Sequence, residues 1–141
     1  MIKMKATAAR LKEKKVYSFI VEWTKTGFSA YSKEYPVVTT GETLTEVKRN
    51  IVEALELLFE DKKTKVSTQN IQLNMDMRFF FKKYRILNAR QLADRIDMNH
   101  TLLSQYVSGT KLPSEEQTKK IITGIRKVAK ELSAVSLVAH H

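Results

Sequence analysis

The apolar pattern of this 141-residue chain changes from strand period to helical period near residue 42, and that change bounds what it can fold into. Before it, β-branched and aromatic residues fall in short runs broken by turn formers. Residues 16–23 (VYSFIVEW), 28–32 (FSAYS) and 37–40 (VVTT) each have strand composition. Thr24-Lys25-Thr26-Gly27 is a turn signal that makes the first two strands antiparallel neighbours, with Gly27 available for positive φ. After it, Leu44, Val47, Ile51, Ala54, Leu55 and Leu58 recur at spacings of three and four, the single apolar stripe of a helix laid on a sheet. Thr43 and Glu46 form a capping box at its start, and Glu46, Lys48, Arg49, Glu53, Glu56 and Glu60 occupy its other face. The order β-β-β-α predicts a small antiparallel sheet with one packed helix, an α+β domain over 16–61. Residues 62–74 are expected to link it to the second half of the chain, although a strand at 71–75 could extend the sheet.

From Asp76 the helical period is unbroken. Asp76 is placed to cap a helix carrying Met77, Phe80, Phe81 and Tyr84. In the run Phe79-Phe80-Phe81 the side chains cannot all face one way, so Phe80 and one neighbour fill a core. Asn88 with Gln91 marks a second helix, and a third runs from about Asn99 to a stop at Ser108-Gly109. Ser114 with Gln117 opens a fourth that carries Ile121, Ile125, Val128 and Leu132 on one side. The predicted all-α domain spans 75–133, with a tail at 134–141. Its second and third helices are short, joined by few residues, and set in a basic segment, as in a helix-turn-helix. Ala93 is small where those helices must cross, and Ile96 and Leu103 can pack together. The third helix would then present Asn99, His100, Thr101, Ser104 and Gln105, types that exchange hydrogen bonds with base edges in the major groove.

Charge divides the chain in the same places. The net charge is +10, distributed as +5 over a basic arm at 1–15, −4 over 16–61, +3 over 62–74 and +6 over 75–141. The basic half suits a phosphate backbone and the acidic segment suits a basic protein. With no cysteine in the chain, thiolate zinc sites and cysteine nucleophiles are excluded. His100, alone, builds no metal centre. Glu22 and Glu42 find no further carboxylate at 28–32 or 37–40 to complete a two-metal nuclease, so no enzymatic activity and no cofactor are expected. No membrane span or signal segment is visible, and a cytoplasmic protein of bacterial type is the expectation.

Two resemblances sharpen these expectations. Residues 92–96 (LADRI) through 103–114 (LSQYVSGTKLPS) resemble the Xre/Cro-type phage repressor fold. That likeness implies base reading by Asn99, His100, Thr101 and Gln105. Ala89 stands where relatives place a phosphate-binding side chain, which leaves Arg90 and Lys111 as phosphate contacts. Asp97 stands where that family has glycine in the turn, and aspartate tolerates left-handed φ better than most residues. Gly27-Phe28-Ser29-Ala30-Tyr31, Thr39-Thr40-Gly41-Glu42-Thr43 and the helix with Glu46, Asn50 and Glu53-Ala54 resemble the HicB antitoxins, departing from them at Tyr35-Pro36-Val37-Val38. This second likeness implies a truncated ribonuclease H-like sheet domain that binds a small basic RNA-cleaving toxin of the HicA kind. Trp23, Phe28, Tyr31, Glu42 and Glu53 are the candidate toxin contacts, with packing in the sheet core the competing expectation for Trp23, Phe28 and Tyr31. The joint expectation is a toxin-antitoxin partner that represses its own operon at a double-stranded operator, as a homodimer or higher oligomer. The alternative is a stand-alone regulator whose sheet domain senses a ligand or dimerises.

Overall fold

A computed structural model describes residues 15–60 and 63–139. The basic arm lies outside these residues except for Lys15. The chain is α+β and divides into two compact units, one ending at Asp76 and one beginning at Met77. Among the described residues there are four strands and five α-helices.

The first unit holds β1 (Tyr17–Trp23), β2 (Phe28–Tyr31), β3 (Val38–Gly41), α1 (Leu44–Phe59) and β4 (Ile71–Asn74). Strand order is β3-β2-β1-β4. The two hairpin pairings are antiparallel, with Trp23 opposite Phe28 and Ala30 opposite Thr39. β4 lies parallel to β1, with Tyr17 beside Ile71. The sheet is therefore mixed, and the helical crossover that a parallel pair requires is supplied by α1. Of the two readings left open for 62–74, the strand is the one observed: β4 completes the sheet, with Val66 and Ile71 buried in its core.

Side-chain alternation sorts each strand between two faces. Tyr17, Phe19 and Val21 of β1 join Ala30 of β2 and Val47, Ile51 and Leu55 of α1 in the core. Each large side chain fully buried there, such as Phe19 or Ile51, contributes about 1.5–3 kcal/mol. The same alternation places Ser18, Ile20, Glu22, Tyr31 and Val38 on the face away from α1. The expected stripe of α1 is buried at Val47, Ile51 and Leu55, whereas Leu44 and Leu58, at its ends, are exposed.

Hydrogen bonds fix how α1 enters. The Glu46 amide donates to Thr43 Oγ1 at 3.1 Å, as the capping box requires. The Glu46 carboxylate reaches one residue further back than expected and accepts from the Glu42 amide at 3.3 Å. Asn50 Nδ2 donates to the Thr40 carbonyl at 2.8 Å, tying the helix to β3. Gly27 does not serve as a positive-φ turn residue; among the described glycines only Gly109 has positive φ. What Gly27 supplies is the absence of a side chain, since a Cβ there would lie 2.3 Å from the Gly41 carbonyl oxygen and 2.8 Å from Glu42 Cα.

At the start of β1, Lys15 is held at both ends. Its carbonyl accepts from Asn70 Nδ2 at 3.0 Å, and its ammonium lies 5.4 Å from the Tyr17 ring centroid and 5.7 Å from that of Tyr35. A hydrogen bond to Tyr35 raises the Lys15 pKa above its ordinary value.

The second unit holds α2 (Met77–Lys83), α3 (Ala89–Arg95), α4 (His100–Ser108) and α5 (Glu115–Ala134). Its core is Phe81, Leu92, Ala93, Ile96, Met98, Leu103, Tyr106 and Ile121. Of the three consecutive phenylalanines, Phe81 is buried, Phe80 packs edge-on against it at 5.2 Å, and Phe79 is exposed. The expected cap of α5 is half formed: the Gln117 amide donates to Ser114 Oγ at 3.1 Å, but Gln117 Oε1 is buried without a partner. Gly124, in mid-helix, allows α5 to pass over the end of α3, because a Cβ there would meet Ile96 Cγ2 at 2.1 Å. The apolar side of α5 is buried at Ile121 and ends exposed at Leu132.

Candidate nucleic-acid interface

Two side-chain caps and one turn build the α3–α4 pair. Asn88 Oδ1 accepts from the Gln91 amide at 3.1 Å and starts α3. Asn99 Oδ1 accepts from the Leu102 amide at 3.1 Å and starts α4. Between the helices Asp97 takes φ 55°, and the Met98 amide donates to the Ala93 carbonyl at 2.9 Å. Ala93 is wholly buried at the crossing, and Ile96 and Leu103 share the core, as the small and apolar residues at these positions predicted. The Asp97 carbonyl accepts from Lys120 Nζ of α5 at 3.1 Å.

A left-handed backbone disfavours any residue with a Cβ, least of all aspartate and asparagine. Asp97→Gly is accordingly expected to stabilise the unit by about 0.5–1 kcal/mol, whereas Asp97→Val should destabilise it. Paired thermal melts followed by circular dichroism check this, and a lower melting temperature for Asp97→Gly would contradict it.

The outer side of α4 carries the expected polar row. His100, Thr101 and Ser104 are exposed on it, and Asn99 is exposed immediately before it. Gln105 is half-buried, so it is presented less fully than the sequence suggested. Asn99 has already used its oxygen as a cap, which leaves its amide group as the donor available to a base. Arg90 in the first turn of α3 and Lys111 just beyond α4 are both exposed. The Lys111 amide donates to the Gln105 carbonyl at 3.2 Å, and Ser108 Oγ bonds Thr110 Oγ1 at 2.9 Å. Gly109, with φ 84°, closes the helix as its left-handed C-cap.

Two contacts of this pair have no counterpart in the sequence pattern. His100 Nε2 bonds the Asp94 carboxylate across the turn, and Arg95 pairs with Glu131 of α5. Both join residues on different elements, so no helical period announces them.

Comparison with protein-family models, curated proteins and solved structures gives no match. The site is therefore defined by its own geometry.

In the first unit the five candidate contacts do not share one surface. Trp23 and Phe28, opposite each other, alternate to the α1 side of the sheet, and Phe28 packs against the core. Tyr31 lies on the other side, opposite Ile20 and Val38. Glu42 is exposed in the loop before α1, and Glu53 is exposed on the outer side of that helix with Glu56 and Glu60. Leu57, 78% exposed, lies among these carboxylates. Among the described residues no group of three or more His, Asp or Glu is placed to hold a metal ion, and no helix is long and apolar enough to cross a membrane.

Proposed function

We propose that this chain is an antitoxin that represses its own operon, with α3 and α4 acting as a helix-turn-helix on double-stranded DNA. The observation that carries this reading is the polar row of α4, capped by Asn99, fixed by the Asp97 turn, and set over a closed apolar core in a basic unit. Thr101, Ser104 and Gln105, with the amide of Asn99 and the ring of His100, read base edges in the major groove. Arg90 and Lys111 bind phosphates on either side. Two half-sites one helical turn apart require two copies of the motif, so the active form is a dimer or higher oligomer. Arg90→Ala is expected to weaken binding to all duplexes and to lower the slope of log affinity against log salt by about 1. Anisotropy titrations at several salt concentrations measure it, and an unchanged slope would remove Arg90 from the interface.

The sheet unit, in this reading, is a truncated ribonuclease H-like domain that masks a small basic RNA-cleaving toxin. Its acidic helix face, with Glu53 and Glu56 on the helix and Glu60 at its C-cap, supplies charge complementary to such a partner. Phe28 packs against the core, Trp23 lies opposite it on the α1 side of the sheet, and Tyr31 belongs to the opposite sheet face. Co-purification with the product of the adjacent gene tests this half. Stoichiometric retention of a small basic protein, with its RNA cleavage suppressed, supports it.

One observation favours the alternative of a stand-alone regulator: the sheet face with Ile20, Tyr31 and 77%-exposed Val38 offers apolar surface for a second copy. Retention of no neighbouring product, together with promoter binding, would favour that alternative.

A further inference from the structure

The contact between His100 and Asp94 gives the proposed DNA-reading helix a chemical preference. We propose that Asp94 is a positioning residue: it fixes the ring of His100 so that α4 favours, at one place in each half-site, a base with an amino group on its major-groove edge. This inference rests on the DNA-binding reading of α3 and α4.

An ionised carboxylate only accepts hydrogen bonds. The bond between Asp94 Oδ1 and His100 Nε2 therefore puts the ring proton on Nε2. In a neutral imidazole the remaining nitrogen, Nδ1, is then an acceptor. Major-groove edges divide by the same chemistry. Cytosine N4 and adenine N6 donate, whereas guanine N7 and O6 only accept. A ring held in this tautomer matches cytosine or adenine and meets guanine acceptor to acceptor.

The placement allows this role. His100 is the first residue of α4, where a recognition helix meets base edges, and its side chain is 42% exposed. Asp94 belongs to α3, and its side chain is 57% exposed, so the pair lies at the surface rather than inside the core. The two residues are six apart in sequence and on different helices, so the α3–α4 turn sets their contact. Removing the carboxylate takes nothing from the buried cluster of Leu92, Ala93, Ile96 and Leu103.

Two measurements test the proposal. In the first, the full chain selects duplexes from a library randomised over the half-site, as wild type, His100→Ala and Asp94→Ala. The position read by His100 is the one whose preference His100→Ala abolishes. Wild type should favour cytosine or adenine there by roughly fivefold or more. Asp94→Ala should reduce this to less than about twofold and leave preferences elsewhere intact. A preference for guanine or thymine, or one that survives Asp94→Ala, overturns the proposal.

The second measurement needs no DNA. Long-range proton–nitrogen correlation spectra of the full chain report the ring tautomer, with the His100 signals assigned by their loss in His100→Gln. The expected result is a ring protonated on Nε2, with the other tautomer gaining population in Asp94→Ala. A ring protonated on Nδ1, or one that Asp94→Ala leaves unchanged, overturns the proposal. Wild-type protein that selects no sequence at all defeats the DNA-binding reading itself and the base preference with it, even if the ring is held as described. Selective binding that is indifferent to Asp94 defeats only the present inference.

Discussion

Gly27→Val is expected to lower the melting temperature of the sheet unit by about 12–24 °C, equivalent to about 3 kcal/mol in a domain of this size. The reason is where a side chain at that position would go. Its Cβ would lie 2.3 Å from the Gly41 carbonyl oxygen, 2.8 Å from Glu42 Cα and 3.1 Å from the Gly41 carbonyl carbon. All three are backbone atoms of the turn that leads into α1, so no rotamer change can relieve the clash. Overpacking against well-placed neighbours costs about 1–3 kcal/mol, and rigid neighbours set the upper end of that range. Moving the turn would also disturb the bond from Asn50 to Thr40 and the packing of Val47 beneath Gly41. The chain has one tryptophan, Trp23, on β1 opposite Phe28. Its fluorescence reports on this unit during thermal or urea unfolding. A shift of less than about 4 °C would mean that the first hairpin does not approach the β3–α1 turn so closely.

Leu103→Ala is expected to destabilise the helical unit by about 3–4 kcal/mol and, on the proposed function, to abolish DNA binding at 37 °C. Leu103 is completely buried between the two short helices, in a cluster with Ala93, Ile96, Tyr106 and Ile121. Truncation leaves a cavity where α4 rests on α3, and a small unit with one modest core has little stability to lose. The expected signature is selective: helical circular dichroism falls at a lower temperature, while the Trp23 transition keeps its midpoint. A Trp23 transition displaced equally would show that the two units unfold together. Retention of full operator affinity would show that α4 does not depend on this packing.

These two positions also mark where sequence reasoning reaches and where it stops. Leu103 and Ile96 are legible because a helix repeats its buried side every three or four residues, and Val47, Ile51 and Leu55 of α1 follow the same rule. The caps at Thr43, Asn88 and Ser114 are legible because each depends on a local bond to an amide three residues on, whereas from sequence Asn99 is counted with the helix it caps. Asp97 is legible as a left-handed turn residue only through the resemblance, which places it where glycine is usual. Gly27 is misread because its role is tertiary: the backbone atoms that exclude a side chain belong to a turn fourteen residues away. β4 is ambiguous because its partner is β1, across the entire α1 crossover, and a strand of four residues carries too short an alternation to declare its neighbour. Gly124 draws no notice because glycine in mid-helix costs about 1 kcal/mol relative to alanine and gives no sign of what it accommodates. The partnership of His100 with Asp94 escapes for a related reason. It spans a turn, and only the angle between the two helices brings the side chains together. Among the candidate toxin contacts, composition alone groups Trp23, Phe28 and Tyr31, while strand alternation separates them onto opposite sheet faces.

Whether α3 and α4 read DNA is decided by the affinity of the full chain for the duplex upstream of its own gene, measured by fluorescence anisotropy beside a shuffled duplex at physiological salt. A helix-turn-helix repressor should prefer its own sequence by about a thousandfold or more. Gln105→Ala should lose about 1–3 kcal/mol of that preference without changing affinity for the shuffled duplex. Equal affinity for both duplexes, undisturbed by Gln105→Ala, would contradict the assignment of α4 as a recognition helix.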